Sequence, residues 1–121
     1  MHVLIVENSA ELGRLWQGHL ERQGNQVTCA RSRMDATALL DTAAVDVLII
    51  DLDLEDGNAL TVADYANYRQ PEAQVIFVTA SSFFSDGSIF AHSGNARAFV
   101  PTDTPPEDLA AMVEHYGTHH A

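Results

Sequence analysis

Val47-Leu48-Ile49-Ile50-Asp51 and, upstream, Val3-Leu4-Ile5-Val6-Glu7 are unbroken apolar runs that each stop at a carboxylate. Neither shows the polar and apolar alternation of a strand with one wet face. Such runs read as strands buried on both sides, as in a parallel sheet covered by helices. Ligand and reaction sites of these sheets lie outside the carboxyl ends of the strands, where Glu7 and Asp51 fall. An acid in that place is a metal ligand, a nucleophile or a helix cap.

Outward from these runs the chain alternates. Residues 9–23 place Leu12, Leu15, Trp16, His19 and Leu20 at helical spacing, and Gly24 supplies the stop. His19 on that apolar stripe reads as a packed imidazole rather than a ligand. Residues 26–30 read as a second strand whose Cys29 is a buried, inert thiol. Residues 33–41 form a helix carrying Ala36, Leu39 and Leu40, and the strand ending at Asp51 spans residues 45–52. The turn Glu55-Asp56-Gly57-Asn58 leads into a helix over 59–68, with Leu60, Ala63 and Tyr65 inward and Pro71 closing it.

Val75-Ile76-Phe77-Val78 is a further buried run, ending in Thr79. Residues 81–93, with Gly87 in the middle, predict only a short helix. Ala98-Phe99-Val100 makes the last strand. In Thr104-Pro105-Pro106-Glu107, threonine reads as a helix N-cap, proline as the first helical residue, and glutamate as the closing member of a capping box. Leu109, Met112, Val113 and Tyr116 form the inward stripe of that helix.

The formal charge is -11, all six basic residues are arginines, and there is no lysine. Such a chain repels phosphate backbones, so direct nucleic-acid binding is not expected. No apolar run approaches membrane-spanning length, and the expectation is a soluble, cytoplasmic protein. The 121 residues fit a single domain, 1–121, and no output segment is recognisable after Tyr116.

Strand and helix alternate about five times, which implies an α/β fold: a doubly wound five-stranded parallel sheet with strand order 2-1-3-4-5, flavodoxin-like. Its direction reverses between the first and third strands. That topology brings Glu7 and Asp51 to one crevice, with Thr79 beside them.

Four segments then carry a resemblance: Val3-Leu4-Ile5-Val6-Glu7-Asn8, the stretch from Val47 through Asp51-Leu52-Asp53 to Gly57, Val75-Ile76-Phe77-Val78-Thr79-Ala80, and Gly94-Asn95-Ala96-Arg97-Ala98-Phe99-Val100. In this order and at these intervals the chain resembles the receiver domains of two-component response regulators along its whole length. The resemblance implies that Asp51 accepts a phosphoryl group from a sensor histidine kinase or phosphotransfer protein. It implies a magnesium ion held by Glu7, Asn8, Asp51 and the backbone carbonyl of Asp53, whose own side chain counts for less. Thr79 matches the switch hydroxyl and Phe99 the switch aromatic, acting on the face of the last strand and its flanking helices that meets a downstream protein partner. Homodimerisation through the last helices stays open.

Departures from the family pattern are as informative. Asn8 stands where the family usually has an aspartate that ligates magnesium, and a neutral amide weakens a site for a hard cation. Asn8 with Glu11 also reads as a capping box. Thr102 stands at the usual lysine position, and a hydroxyl donates one hydrogen bond without neutralising charge. Asp103, Glu55 and Ala59 replace a usual proline, proline and glycine. Arg97, five residues upstream of Thr102, reads as a solvated loop residue rather than a substitute.

Three functions fit these residues: a phosphorylatable receiver with a weakened magnesium site, a phosphorylation-independent pseudo-receiver acting as a protein-interaction module, or an Asp-x-Asp phosphatase built on Asp51 and Asp53. The phosphatases put that motif on their first strand and need a lysine. His115, His119 and His120 resemble a metal-binding tail, yet Gly117 is expected to interrupt the helix and leave a frayed terminus. Phe83, Phe84 and Phe90 would mark a partner surface if exposed.

Overall fold

The computed structural model describes residues 1–54, 59–80 and 96–118. Their elements run β1 (His2–Val6), α1 (Ala10–Arg22), β2 (Gln26–Ala30), α2 (Arg33–Thr42), β3 (Val47–Asp51), α3 (Ala59–Arg69), β4 (Gln74–Thr79), β5 (Ala96–Pro101) and α4 (Pro106–Thr118). All the strand pairs are parallel, in the order β2-β1-β3-β4-β5. The expected sheet is therefore present, with Val3 opposite Val47 and Val6 opposite Ile50 where the order reverses. The helix expected within 81–93, the turn at 55–58, the three phenylalanines, His119 and His120 lie outside the described residues.

Strand side chains alternate between faces, and the alternation divides the core in two. Leu4, Val6, Leu48, Ile50, Val75 and Phe77 pack beneath Ala36 and Leu40 of α2 and Val62, Ala63 and Ala66 of α3. Val3, Ile5, Val47, Ile49, Ile76 and Val78 face Trp16 and Leu20 of α1 and Leu109, Ala110 and Val113 of α4. Each large aliphatic side chain buried this way contributes about 1.5–3 kcal/mol. That is why Val3 to Val6, Val47 to Ile50 and Val75 to Val78 carry no polar residue.

Local chemistry sets the helix ends. Ser9 is the N-cap of α1, its Oγ accepting from Leu12 N at 3.2 Å, and Gly24 follows the helix at φ 91°, a left-handed conformation suited to glycine. Ser32 caps α2 in the same way through Asp35 N. The cap expected at Asn8 is thus one residue later. At α4 the Thr104 hydroxyl donates backward to Pro101 O, and Pro105 O receives the first helical N–H groups from Asp108 and Leu109. Helix α4 therefore starts one residue beyond the expected position.

Other differences have steric causes. Leu15 and Leu60 are exposed because Trp16 and Leu20, and Val62 and Ala66, turn inward instead. His19 is only half-buried. Cys29 is exposed, since β2 is an edge strand. Gly117 does not interrupt α4. The sulfur and methyl of Met1 fill the space that a Cβ there would need, with Val47 close behind, so glycine permits the helix to close on the sheet. His115 is exposed on α4, edge-on to Tyr116 with ring centroids 5.1 Å apart.

At the amino end of the sheet Gln70 ties three segments together. Its Nε2 donates to Leu40 O at 2.9 Å and Ala43 O at 2.7 Å, and its Oε1 accepts from Val45 N at 2.7 Å. Gln70→Ala is expected to cost about 2–3 kcal/mol, near the sum of three partly buried hydrogen bonds. A urea midpoint equal to that of the parent chain would show that water replaces them without loss.

Candidate functional site

The carboxyl ends of β1, β3 and β4 deliver Glu7, Asp51 and Thr79 to one place. Asp51 is the last residue of β3 and Thr79 the last of β4, while Glu7 follows β1 directly. These three polar residues are buried, at 5%, 7% and 2% exposure. They are the points where the apolar strands end.

Glu7 Oε1 accepts from Ser9 N at 3.1 Å, whereas Oε2 is buried with no hydrogen-bond partner among the described residues. The group beside it is the Asp51 carboxyl. Burial, and then the Asp51 carboxyl beside it, push the Glu7 carboxyl from its ordinary 4.5 up to about 7, against the opposing pull of Ser9 N–H. Two carboxyls in one desolvated place cannot both ionise cheaply, and a proton between them relieves the repulsion.

Asp53 is the centre of the hydrogen bonding. Its N–H donates to Asp51 Oδ1 at 2.8 Å, closing a turn of the kind aspartate favours two residues before an amide. Its carbonyl accepts from Asn8 Nδ2 at 3.2 Å. Its Oδ2 accepts both Thr79 Oγ1 at 3.1 Å and Ala80 N at 3.0 Å. Sequence reasoning discounted this side chain and passed over the Ala80 amide. The Asp51-x-Asp53 spacing was the available signal, since a strand-end aspartate bonding the amide two residues on turns the second carboxylate toward the next strand.

Thr102 N donates to Thr79 O at 2.9 Å, so Thr102 lies abreast of Thr79 at the same sheet edge. Phe99 pairs in register with Phe77 and packs half-buried against the core below. Arg97 is elsewhere: its Nε donates to the Gln74 side chain at the opposite, amino end of β4. It therefore stands far from Asp51, and the missing lysine charge is not supplied from there. Asp51-Leu52-Asp53 follows the third strand in chain order, not the first as the phosphatase reading requires.

A magnesium ion is what the resemblance implies here, and the chemistry of the donor set fits a hard cation. Glu7 Oε2 beside the Asp51 carboxyl is the oxygen pair whose joint ionisation such an ion would favour. The set is thin. Among the described residues no group of three or more His, Cys, Asp or Glu side chains is arranged to hold a metal, and the Asp53 carbonyl is engaged by the Asn8 amide.

Comparison with known proteins agrees with this architecture. Residues 3–114 match the family described as response regulator receiver domain. The chain is 34% identical over 77 residues, 64% of its length and 41% of the relative's, to the photosynthetic apparatus regulatory protein RegA of Rhodobacter capsulatus. It is 30% identical over 111 residues, 92% of its length and 24% of the relative's, to the response regulator protein PilR of Pseudomonas aeruginosa. The chain thus spans less than half the length of either relative. A crystal structure of a CheY-like response regulator receiver domain protein from Methanospirillum hungatei shares the fold with a TM-score of 0.88 at 19% identity, over 97% of this chain and 93% of that one.

Proposed function

Because this chain belongs to the response regulator receiver domain family, we propose that it accepts a phosphoryl group on Asp51 within a two-component relay. Response regulators interact with histidine kinases and downstream effectors, and a kinase or phosphotransfer protein is the donor in this reading. The observation that carries it is Asp51 itself, a 7% exposed carboxylate at the end of a central strand, with the buried unpartnered oxygen of Glu7 beside it. A nucleophilic carboxylate needs this combination of fixed position and excluded water.

In the reaction an Asp51 oxygen attacks phosphorus as the bond to the donor breaks. Asp53 N–H, on Asp51 Oδ1, holds the nucleophile's orientation. Receiver domains generally bind magnesium at the phosphorylation site; here Glu7, Asp51 and the Asp53 carbonyl would hold it, with Asn8 as a neutral donor. When bound it supplies neutralisation of the phosphoryl oxygens. Thr79 would offer its hydroxyl to the phosphoryl group, and Phe99 would carry the change to the β5 and α4 face. Thr102 adds at most a neutral donor where the family has a lysine.

Incubation with magnesium and a small-molecule phosphodonor, followed by intact-mass measurement, is expected to show one added phosphoryl group. Asp51→Asn abolishes it. An adduct that persists in Asp51→Asn, or none in the parent chain, would end this reading. A phosphorylation-independent interaction module is the second reading, favoured by the Asn8 amide on the Asp53 carbonyl and by threonine at position 102. It requires that Asp51→Asn leave partner binding unchanged.

No helix among the described residues is long and apolar enough to cross a membrane. With a formal charge of -11, the surface favours protein partners over nucleic acid.

A further inference from the structure

A hydroxyl and a backbone amide that converge on one oxygen make a small anion cradle. At the end of β4 the pair is Thr79 Oγ1 and Ala80 N, and the oxygen they share is Asp53 Oδ2, at 3.1 and 3.0 Å. An anion already sits in this cradle. It is supplied by the chain itself, two residues after Asp51.

The seat is well defined. Asp53 is exposed, but its backbone is fixed on two sides, by its N–H on Asp51 Oδ1 and by Asn8 Nδ2 on its carbonyl, and its carboxylate is then placed by the two bonds from Thr79 and Ala80. Thr79 is 2% exposed and its carbonyl is held by Thr102 N. A phosphoryl group growing from Asp51 would need these donors and would meet a like charge on arrival. Removing a formal negative charge there relieves that repulsion, whereas charge-assisted bonds to Asp53 oppose its departure.

We propose that the Asp53 carboxylate is an internal surrogate for a phosphoryl group, holding the Thr79–Ala80 donor pair in its anion-bound arrangement without phosphorylation. The surrogate sets the end of β4, and through it Phe99 in the neighbouring strand. Loss of Asp53 is then a larger perturbation of this edge than gain of phosphate. The inference builds on the reading of Thr79 as the switch hydroxyl, but the hold of Asp53 on Ala80 is a property of the chain before any reaction.

The test is amide NMR on the full chain, comparing the parent with Asp53→Ala and Asp53→Asn. In Asp53→Ala, exchange of the Ala80 amide is expected to accelerate about tenfold, the loss of one charge-assisted hydrogen bond, and the Phe99 ring resonances move. Asp53→Asn, which keeps an acceptor oxygen but no charge, gives a smaller effect in the same direction. Magnesium with a small phosphodonor then returns Ala80 and Phe99 of Asp53→Ala toward their parental positions, while the parent itself shifts less. Unchanged Ala80 exchange or an unmoved Phe99 in Asp53→Ala overturns the surrogate, as does a parental response to the phosphodonor as large as the variant's. If the substitution moves both residues but the phosphodonor moves neither protein, the surrogate stands and the phosphoacceptor role of Asp51 fails.

Discussion

Thr102→Lys is expected to take phosphate onto Asp51 about a hundredfold faster than the parent chain, the scale on which single preorganised oxyanion donors act. Thr102 is held abreast of Thr79 by its N–H on Thr79 O at 2.9 Å, at the same end of the sheet as Asp51 and across β4 from it, and the expectation is that a four-carbon stem spans that gap. The cluster there contains Glu7, Asp51 and Asp53, within a chain of formal charge -11 that has no lysine. Each phosphoryl oxygen delivered to it adds to one sign of charge. An ammonium group offsets that charge where a hydroxyl offers one neutral bond.

Intact-mass time courses with magnesium and a small phosphodonor read this rate. Thr102→Met controls for stem length without charge and should remain at the parental rate. A lysine variant no faster than the methionine one would show that charge at position 102 does not limit the reaction. Any gain that survives in the double variant with Asp51→Asn would place the adduct on another residue.

The second large effect concerns stability and pH. Glu7 binds its proton up to about pH 7 in the folded chain, while its ordinary value is 4.5. Between those values the folded state holds a proton that the unfolded state has released, so unfolding free energy falls as pH rises. The stabilisation is fully present below pH 4.5 and is lost as pH climbs through about 7. Its ceiling is about 3 kcal/mol, equivalent to a Tm change of about 10 °C in a domain of this size.

Glu7→Gln keeps the shape and the neutral form, and so removes this dependence. Without divalent cations the difference in Tm between Glu7→Gln and parent should be near zero at pH 4.5 and should widen in the variant's favour toward pH 8. Magnesium at pH 8 should narrow the gap by stabilising only the parent, because the ion favours the ionised acid. Parallel pH profiles for the two proteins would mean that Glu7 titrates normally. A magnesium effect of equal size in both would mean that Glu7 takes no part in holding the ion.

Much of the architecture was legible because it rests on local patterns. Val3 to Val6, Val47 to Ile50 and Val75 to Val78 are apolar without interruption because each is covered on both faces, and their ends place Glu7, Asp51 and Thr79. The sequence predicts a buried Cys29, and the structure exposes it, because an edge strand has the residue types of an inner one but a neighbour on one side only. Gly117 reads as a breaker because helix propensity sees the missing side chain and not the Met1 atoms that use its space. At the site, identity and position were readable while partnership was not. Asn8 to Asp53, and Asp53 to Thr79 and Ala80, join residues remote in sequence. No periodicity records which of two acids two residues apart receives a given hydroxyl.

The edge-strand cysteine has a practical consequence. Cys29 is the one cysteine of the chain, and it lines a cavity of about 250 Å³ whose wall also includes Glu7. The residue as a whole is exposed, but desolvation of the thiol itself and then the nearby Glu21 push it up, so it reacts slowly at neutral pH and more readily in mild alkali. A small fluorinated label attached there needs no engineered handle and has no second thiol to compete with it. Its signal would follow the charge on the buried acid from the far side of β1, leaving the phosphate-facing edge untouched by the reporter.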